Sequence, residues 1–247
     1  MGDLHQIRIE NIKQQNQEFV AGHRSRERTA ANIAVVAVAQ GEGLARLLRD
    51  AGCAAIINGG QTMNPSVREI LDAAGAVGAR ETIVLPNNSN IVATAEQSAG
   101  ANPRVHVVPS RTLPQGVAAM LAFNPEDPLE RNLERMGRAL ETVVTIEVTQ
   151  AVRTASVEGK VVEAGRYIGL LEGELATSGD SPESALEAAL DRIVSSEDQI
   201  ITLYQGADAS PAGADELRRR LEAQTPGIQV DLVYGGQPHY HYLASVE

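Results

Sequence analysis

The sequence predicts an α/β protein in which an open parallel sheet with flanking helices is followed by a second, mixed-sheet α/β unit. Three observations carry this. Four short apolar runs rich in β-branched residues begin at Ile33, Ala54, Thr82 and Val105, each followed by a polar loop and a helical pattern. That is the rhythm of parallel strands joined by helices. After about residue 142 it gives way to alternating strands and a hairpin. Aromatic residues make up only 3% of the chain, with no Trp, so the core must come from Ala, Val, Leu and Ile, which strands covered on both faces favour.

In order along the chain, residues 1–29 are polar and charge-alternating, with too few apolar positions to bury a face, and read as a linker or the tail of an upstream domain. Strands are expected at 33–38, 54–57, 82–85 and 105–108, with helices at 44–50, 65–74, 90–99 and 114–122. Asn64-Pro65 places a capping residue before a first-turn proline, and Leu113-Pro114 repeats the proline signal. Residues 30–125 then form the parallel α/β domain. Apolar residues at 129, 133, 136 and 140 mark a bridging helix within 126–141, and 142–247 is the mixed-sheet domain. There, 143–152 alternates as a strand and 157–161 is a turn between strands. Tyr167–Leu171 and Glu174–Thr177 flank Glu172-Gly173 as a hairpin. A helix over 182–194, a strand over 199–204, a helix over 212–223 and strands over 229–234 and 240–246 complete the pattern.

The 247 residues include 32 acidic and 21 basic ones, a formal net charge of −11. This argues against a sequence-independent grip on nucleic acid. No apolar run of about 18 residues or more is present, so no membrane span is expected, and Met1–His5 lacks the features of a signal peptide. The single cysteine, Cys53, excludes an internal disulfide and a Cys-based zinc site, and a cytoplasmic protein is expected.

Open α/β sheets bind ligands at the carboxyl ends of their strands. The loops expected there contain Gln61, Thr62 and Asn64, then Asn87, Asn88 and Ser89, then Arg111 and Gln115. Backbone amides and side chains of this kind can cradle an oxyanion or carboxylate; the same residue types also serve as caps and turn formers. Gly41-x-Gly43 opens a helix after a strand, but Arg46 breaks the dinucleotide fingerprint and Glu42 stands where a pyrophosphate would lie. No phosphate-binding P-loop and no Gly-x-Ser-x-Gly elbow occurs. Strand alternation puts His239 and His241 on one face and Tyr240 and Tyr242 on the other, without a third metal ligand. His106 is expected as a hydrogen-bonded core histidine and Cys53 as a small core residue. Arg111 and Arg153 are anion-contact candidates, equally explicable as surface arginines.

Four strings in order carry a resemblance: Gly59-Gly60-Gln61-Thr62-Met63-Asn64-Pro65-Ser66, Leu85-Pro86-Asn87-Asn88-Ser89-Asn90, Pro114-Gln115-Gly116 with Ala122-Phe123-Asn124-Pro125, and Tyr234-Gly235-Gly236-Gln237-Pro238 with Ser245-Val246-Glu247. They resemble the C-terminal region of the bacterial fatty acid kinase large subunit, of the dihydroxyacetone kinase-like family. The resemblance covers about residues 30–247 and implies a two-domain DegV-like fold. Gln6–Ile12 resembles the end of that family's middle domain, so the chain reads as a fragment.

The resemblance also implies that ATP and magnesium bind an N-terminal domain outside this chain. No cofactor and no independent catalysis are then expected here, and the partner is a DegV-like fatty-acid-binding protein. Fatty acid or acyl phosphate as ligand, and a homodimer, stay open. In DegV-like carriers, loops matching Gln61-Thr62 and Asn88-Ser89 hold the fatty acid carboxylate, and a His lies in a glycine-rich C-terminal motif. The matching stretch 233–238 has no His; it contains Gln237, with His239 just beyond. The alternatives are the substrate-binding domain of a dihydroxyacetone-type kinase, whose covalent His could only be His106, His239 or His241, and a DegV-like lipid-binding protein.

Overall fold

Each β-branched run becomes a parallel strand because the helix that follows it covers the sheet. The computed structural model describes residues 32–60, 64–157, 160–194, 199–224 and 227–247; residues 1–29, Gln61 and Thr62 lie outside them. The first sheet holds β1 (Ile33–Ala39), β2 (Ala55–Asn58), β3 (Glu81–Leu85) and β4 (Val105–Val107), all parallel, in the order β2-β1-β3-β4. All seven residues of β1 are buried, as a central strand covered on both faces requires. Helices α2 (Val67–Ala76) and α3 (Ser89–Ala101) pack Ile70, Ala74 and Ala95 on one face, against Val84 and Val105. On the other face, α1 (Glu42–Asp50), α4 (Leu113–Ala122) and α5 (Leu129–Glu141) bring Leu44, Leu48, Met120 and Met136 onto Val35, Ala37 and Ile83. Leu44 and Leu48 are fully buried, each contributing about 1.5–3 kcal/mol.

Two local expectations are corrected. Helix α2 is capped by Ser66, not Asn64: the Ser66 hydroxyl accepts from the Glu69 amide and the Glu69 carboxylate accepts from the Ser66 amide at 2.7 Å. This reciprocal capping box outcompetes the proline signal, leaving Pro65 before the cap. His106 is half-buried on the edge strand β4, where its Nε2 lies 2.8 Å from Glu81 Oε2, rather than in the core. Cys53 is buried; its thiol donates to the Val35 and Ala55 carbonyls, and burial pushes its pKa up.

The second sheet runs β11-β10-β12-β5-β8-β9, from β5 (Val144–Gln150), β8 (Tyr167–Leu171), β9 (Glu174–Gly179), β10 (Ile200–Gln205), β11 (Gln229–Tyr234) and β12 (Tyr240–Val246). Only the β10–β11 pair is parallel. Glu172 and Gly173, both at positive φ, make the tight β8–β9 turn. Strands β6 (Ala155–Val157) and β7 (Lys160–Val162) form a separate two-stranded hairpin. Helices α6 (Pro182–Leu190) and α7 (Pro211–Gln224) cover one face, packing Leu186, Leu190, Leu217 and Leu221 on Ile146, Val148, Leu203 and Tyr242. The opposite face turns toward the parallel sheet, and Tyr204 and Leu243 join the core of α1, α4 and α5.

The β11–β12 loop locks the two sheets together. The Leu44 amide, one of the unpaired donors at the start of α1, gives its proton to the Gly235 carbonyl at 3.0 Å. The approach is so close that a Cβ at residue 43 would lie 1.8 Å from the Tyr234 carbonyl oxygen, and one at residue 41, where φ is +101°, would lie 2.6 Å from Gln237 N. Gly41-x-Gly43 is thus a backbone-docking motif. Gly43→Ala is expected to cost about 3 kcal/mol or more. Gly137→Ala, in α5 with open space around it, should add about 0.5–1 kcal/mol. Urea denaturation of both variants checks the contrast.

Candidate functional site

In the order β2-β1-β3-β4 the chain leaves β1 in one direction and reaches β3 on the other side, so the topological switch point lies between the carboxyl ends of β1 and β3. A crevice opens there. It is lined by Val38, Gln40, Gly59 and Gly60 from β1 and β2, by Pro86, Asn87 and Asn88 after β3, and by Leu113 of α4. Glu147 of β5 and the Gln237–Tyr240 segment with Leu243 close it. Its volume is about 30 Å³, room for about one or two water molecules. A separate surface groove of about 450 Å³ runs between α1 and β11, rimmed by Glu42, Arg46 and Asp50 beside Leu47, Val233 and Tyr234.

Of the residues the sequence nominated, the crevice gathers Asn87, Asn88, Gln237 and His239. Asn87, with φ at 55°, is buried and structurally engaged: its Nδ2 donates to Val38 O at 2.9 Å, its Oδ1 accepts from Ser110 Oγ at 2.6 Å, and its amide donates to Ser110 Oγ. It ties β1 to the segment after β4. Asn88 is the N-cap of α3, accepting from the Asn90 amide at 2.9 Å. Gln237 is 2% exposed; its Nε2 donates to Tyr204 O, while its Oε1 packs over Gly235 without a partner among the described residues. His239 is exposed at φ 70°, and its carbonyl accepts from Thr149 Oγ1 at 2.7 Å.

Ser89, Gln115, Arg111 and Asn64 do not line the crevice. Ser89 is the exposed first residue of α3. Gln115 faces the end of α5, donating to Leu140 O and accepting from the Arg111 amide. Arg111, Arg153 and Asn64 are exposed.

The expected face-sharing of the two histidines gives way to a β-bulge. The register between β12 and β5 shifts between Tyr240 and Tyr242, an extra residue that re-aims the side chains before it. Tyr242 joins the α6–α7 core, Tyr240 turns to the crevice core, and His241 packs edge-on against Tyr167 with ring centroids 5.0 Å apart.

The bulge brings Tyr240 to a residue that the sequence pattern did not single out. Half-buried Glu147 faces the crevice between Ile146 and Val148, whose side chains point to the opposite core. Burial pushes the Glu147 carboxyl up to about 7; the hydroxyl of Tyr240 donates to it and opposes the shift, while the charge of Glu172 adds to it. Burial beside Glu147 raises the Tyr240 phenol in turn. No group of three or more His, Cys, Asp or Glu side chains is placed to hold a metal among the described residues.

This architecture is shared with DegV proteins: Cg2579 of Corynebacterium glutamicum superposes with a TM-score of 0.62 at 13% identity, over 88% of this chain and 97% of that one. The dihydroxyacetone kinase of C. freundii in complex with AMP-PNP and Mg2+ gives 0.58 at 14% identity, over 90% and 49%. The fatty acid kinase B3 protein of Streptococcus pneumoniae, loaded with linoleic acid, gives 0.52 at 14%, over 74% and 75%. The fold is therefore DegV-like. The chain belongs to the FakA-like fatty acid kinase family, whose C-terminal model matches residues 34–247. It is 36% identical over 252 residues to protein YloV of Bacillus subtilis, covering 100% of this chain and 46% of the relative. The chain thus spans about half the length of the curated relatives it matches.

Glu147 makes stability depend on pH. Below its ordinary value of 4.5 the carboxyl is neutral whether the chain is folded or not. Between there and about 7 the folded chain holds a proton that the unfolded chain releases, so its contribution declines as pH rises through this window, by about 3 kcal/mol in all. Glu147→Gln should match the parent at pH 4.5 and exceed it by about 2–3 kcal/mol at pH 8. Denaturation at the two pH values measures the difference.

Proposed function

We propose that this chain is the carrier-docking region of an ATP-dependent fatty acid kinase, engaging a DegV-like fatty-acid-binding protein that brings the acyl substrate. The observation that carries the reading is the crevice. Drug-sized ligands occupy pockets of about 300–1,000 Å³, whereas this one leaves about 30 Å³ between its own side chains. The larger groove beside α1 has a charged rim of Glu42, Arg46 and Asp50, which would leave an acyl chain against desolvated charges. Family membership and the linoleate held by the fatty acid kinase B3 protein support a division of labour in which the acyl group stays on the carrier.

Nucleotide chemistry belongs elsewhere in this reading. The helix start that follows Gly41-x-Gly43 already spends its Leu44 amide on Gly235 O, and phosphate binding at a helix N-terminus needs such amides free. ATP and magnesium then act on a region outside these residues.

Native mass spectrometry and calorimetry test the proposal together. The purified chain is expected to fly without a bound fatty acid and to form a complex with a linoleate-loaded DegV-family carrier from the same genome. A co-purifying acyl chain with no carrier complex would overturn the reading in favour of a lipid carrier. A triose adduct on His239, the histidine lining the crevice, would overturn it in favour of a dihydroxyacetone-type substrate domain.

A further inference from the structure

The crevice is too small for an acyl chain, yet its lining is chemically specific. Glu147 is the carboxylate that lines it, and neither lysine nor arginine does. The groups facing Glu147 are the Tyr240 hydroxyl from β12, His239 at the mouth, Glu172 from the β8–β9 turn, and the uncharged Gln40, Asn87, Asn88 and Leu113 from the parallel half. An anion entering here would meet Glu147 and Glu172 with no Lys or Arg to balance them. A neutral group would leave an ionised Glu147 without a counter-charge. A cation would supply it. The room, about 30 Å³, suits a head the size of one or two waters, which favours a primary ammonium over the larger planar guanidinium. Val38, Leu113, Leu243 and the Tyr240 ring supply apolar and aromatic wall for a methylene stem and its charged tip.

We propose that the crevice is a socket for a primary ammonium group, the lysine head of the docking partner, with the Glu147 carboxylate as its counter-charge. The proposal rests on the docking reading for the identity of the partner. It fits a chain of net charge −11, whose surface favours a basic partner. Half-buried Glu147 is reachable from solvent past His239. Because the carboxyl titrates near neutrality, the ammonium displaces a proton, and binding strengthens as pH rises.

Two measurements on the full chain test this. In the first, the side-chain carboxyl of Glu147 is followed by carbon NMR across pH, with methylammonium chloride as the probe and tetramethylammonium chloride as the size control. Methylammonium should lower the midpoint of the Glu147 titration, and tetramethylammonium should not; equal effects, or none, overturn the socket. In the second, calorimetry with the DegV-family carrier should show affinity rising from pH 6 to pH 8, and Glu147→Gln should lose about tenfold or more at pH 8 with a flat profile. If the carrier binds parent and Glu147→Gln alike, the socket falls and docking stands. If the carrier does not bind the parent, the docking reading falls, and the methylammonium titration, which needs only the parent chain, decides the socket.

Discussion

The structure depends on one backbone contact between its halves: the Tyr234–Gln237 segment laid against the first turn of α1. The Leu44 amide spends its proton on Gly235 O, and the absence of side chains at 41 and 43 lets two main chains approach to a distance that no Cβ would allow. That contact fixes where β12 begins, and β12 carries Tyr240 and Leu243 into the crevice. It also consumes the amide that phosphate-binding members of the open α/β class keep free at this position. A glycine spacing that a motif search reads as a nucleotide loop is here a device for joining two sheets.

The joint gives the mixed sheet two unlike faces. Toward α6 and α7 it is wholly apolar, with Ile146, Val148, Leu203, Tyr242 and Ala244 in one cluster. Toward the parallel half it is mixed: Thr145 meets Thr112 at 2.9 Å, Tyr204 and Leu243 join the shared core, and Glu147 stands between them. Burying polar groups is costly unless each finds a partner. Most do here: Ser110 with Asn87, and Gln205 with Ala209 O. Glu147 has the Tyr240 hydroxyl, whose hydrogen bond only partly offsets the burial. The remaining cost appears as a carboxyl that resists ionisation.

What the sequence made legible follows from the range of the interaction involved. Strands and helices set by hydrophobic period appear within about a turn of their expected ends, and the βα rhythm places the crevice loops at the carboxyl ends of β1 and β3. Capping was harder, because Asn64-Pro65 and Ser66-x-x-Glu69 both signal a helix start and only side-chain geometry decides between them. The histidine pair misled because alternation is a property of a regular strand, and the β12 bulge arises from pairing with β5, about 90 residues earlier. Glu147 was invisible for a similar reason. In Val-Thr-Ile-Glu-Val-Thr-Gln the Glu falls on the polar face, which one strand alone would turn to water; the docked parallel half covers it instead.

The same geometry explains how one fold can serve opposite roles toward a ligand. The DegV-like architecture puts a switch point beneath a second sheet, a place where a ligand can be enclosed from two sides. Whether it encloses one is decided by a few side chains, not by topology. In this chain, the bulge turns the Tyr240 ring into that space, Leu113 and Leu243 narrow it further, and Asn87 spends its amide on the Val38 and Ser110 contacts. A volume of about 30 Å³ can discriminate a charged tip but cannot store a hydrocarbon. The loss of a storage cavity is therefore also the gain of a rigid, polar joint surface, and in a protein family that passes acyl groups between chains such a surface is what recognition of another chain requires.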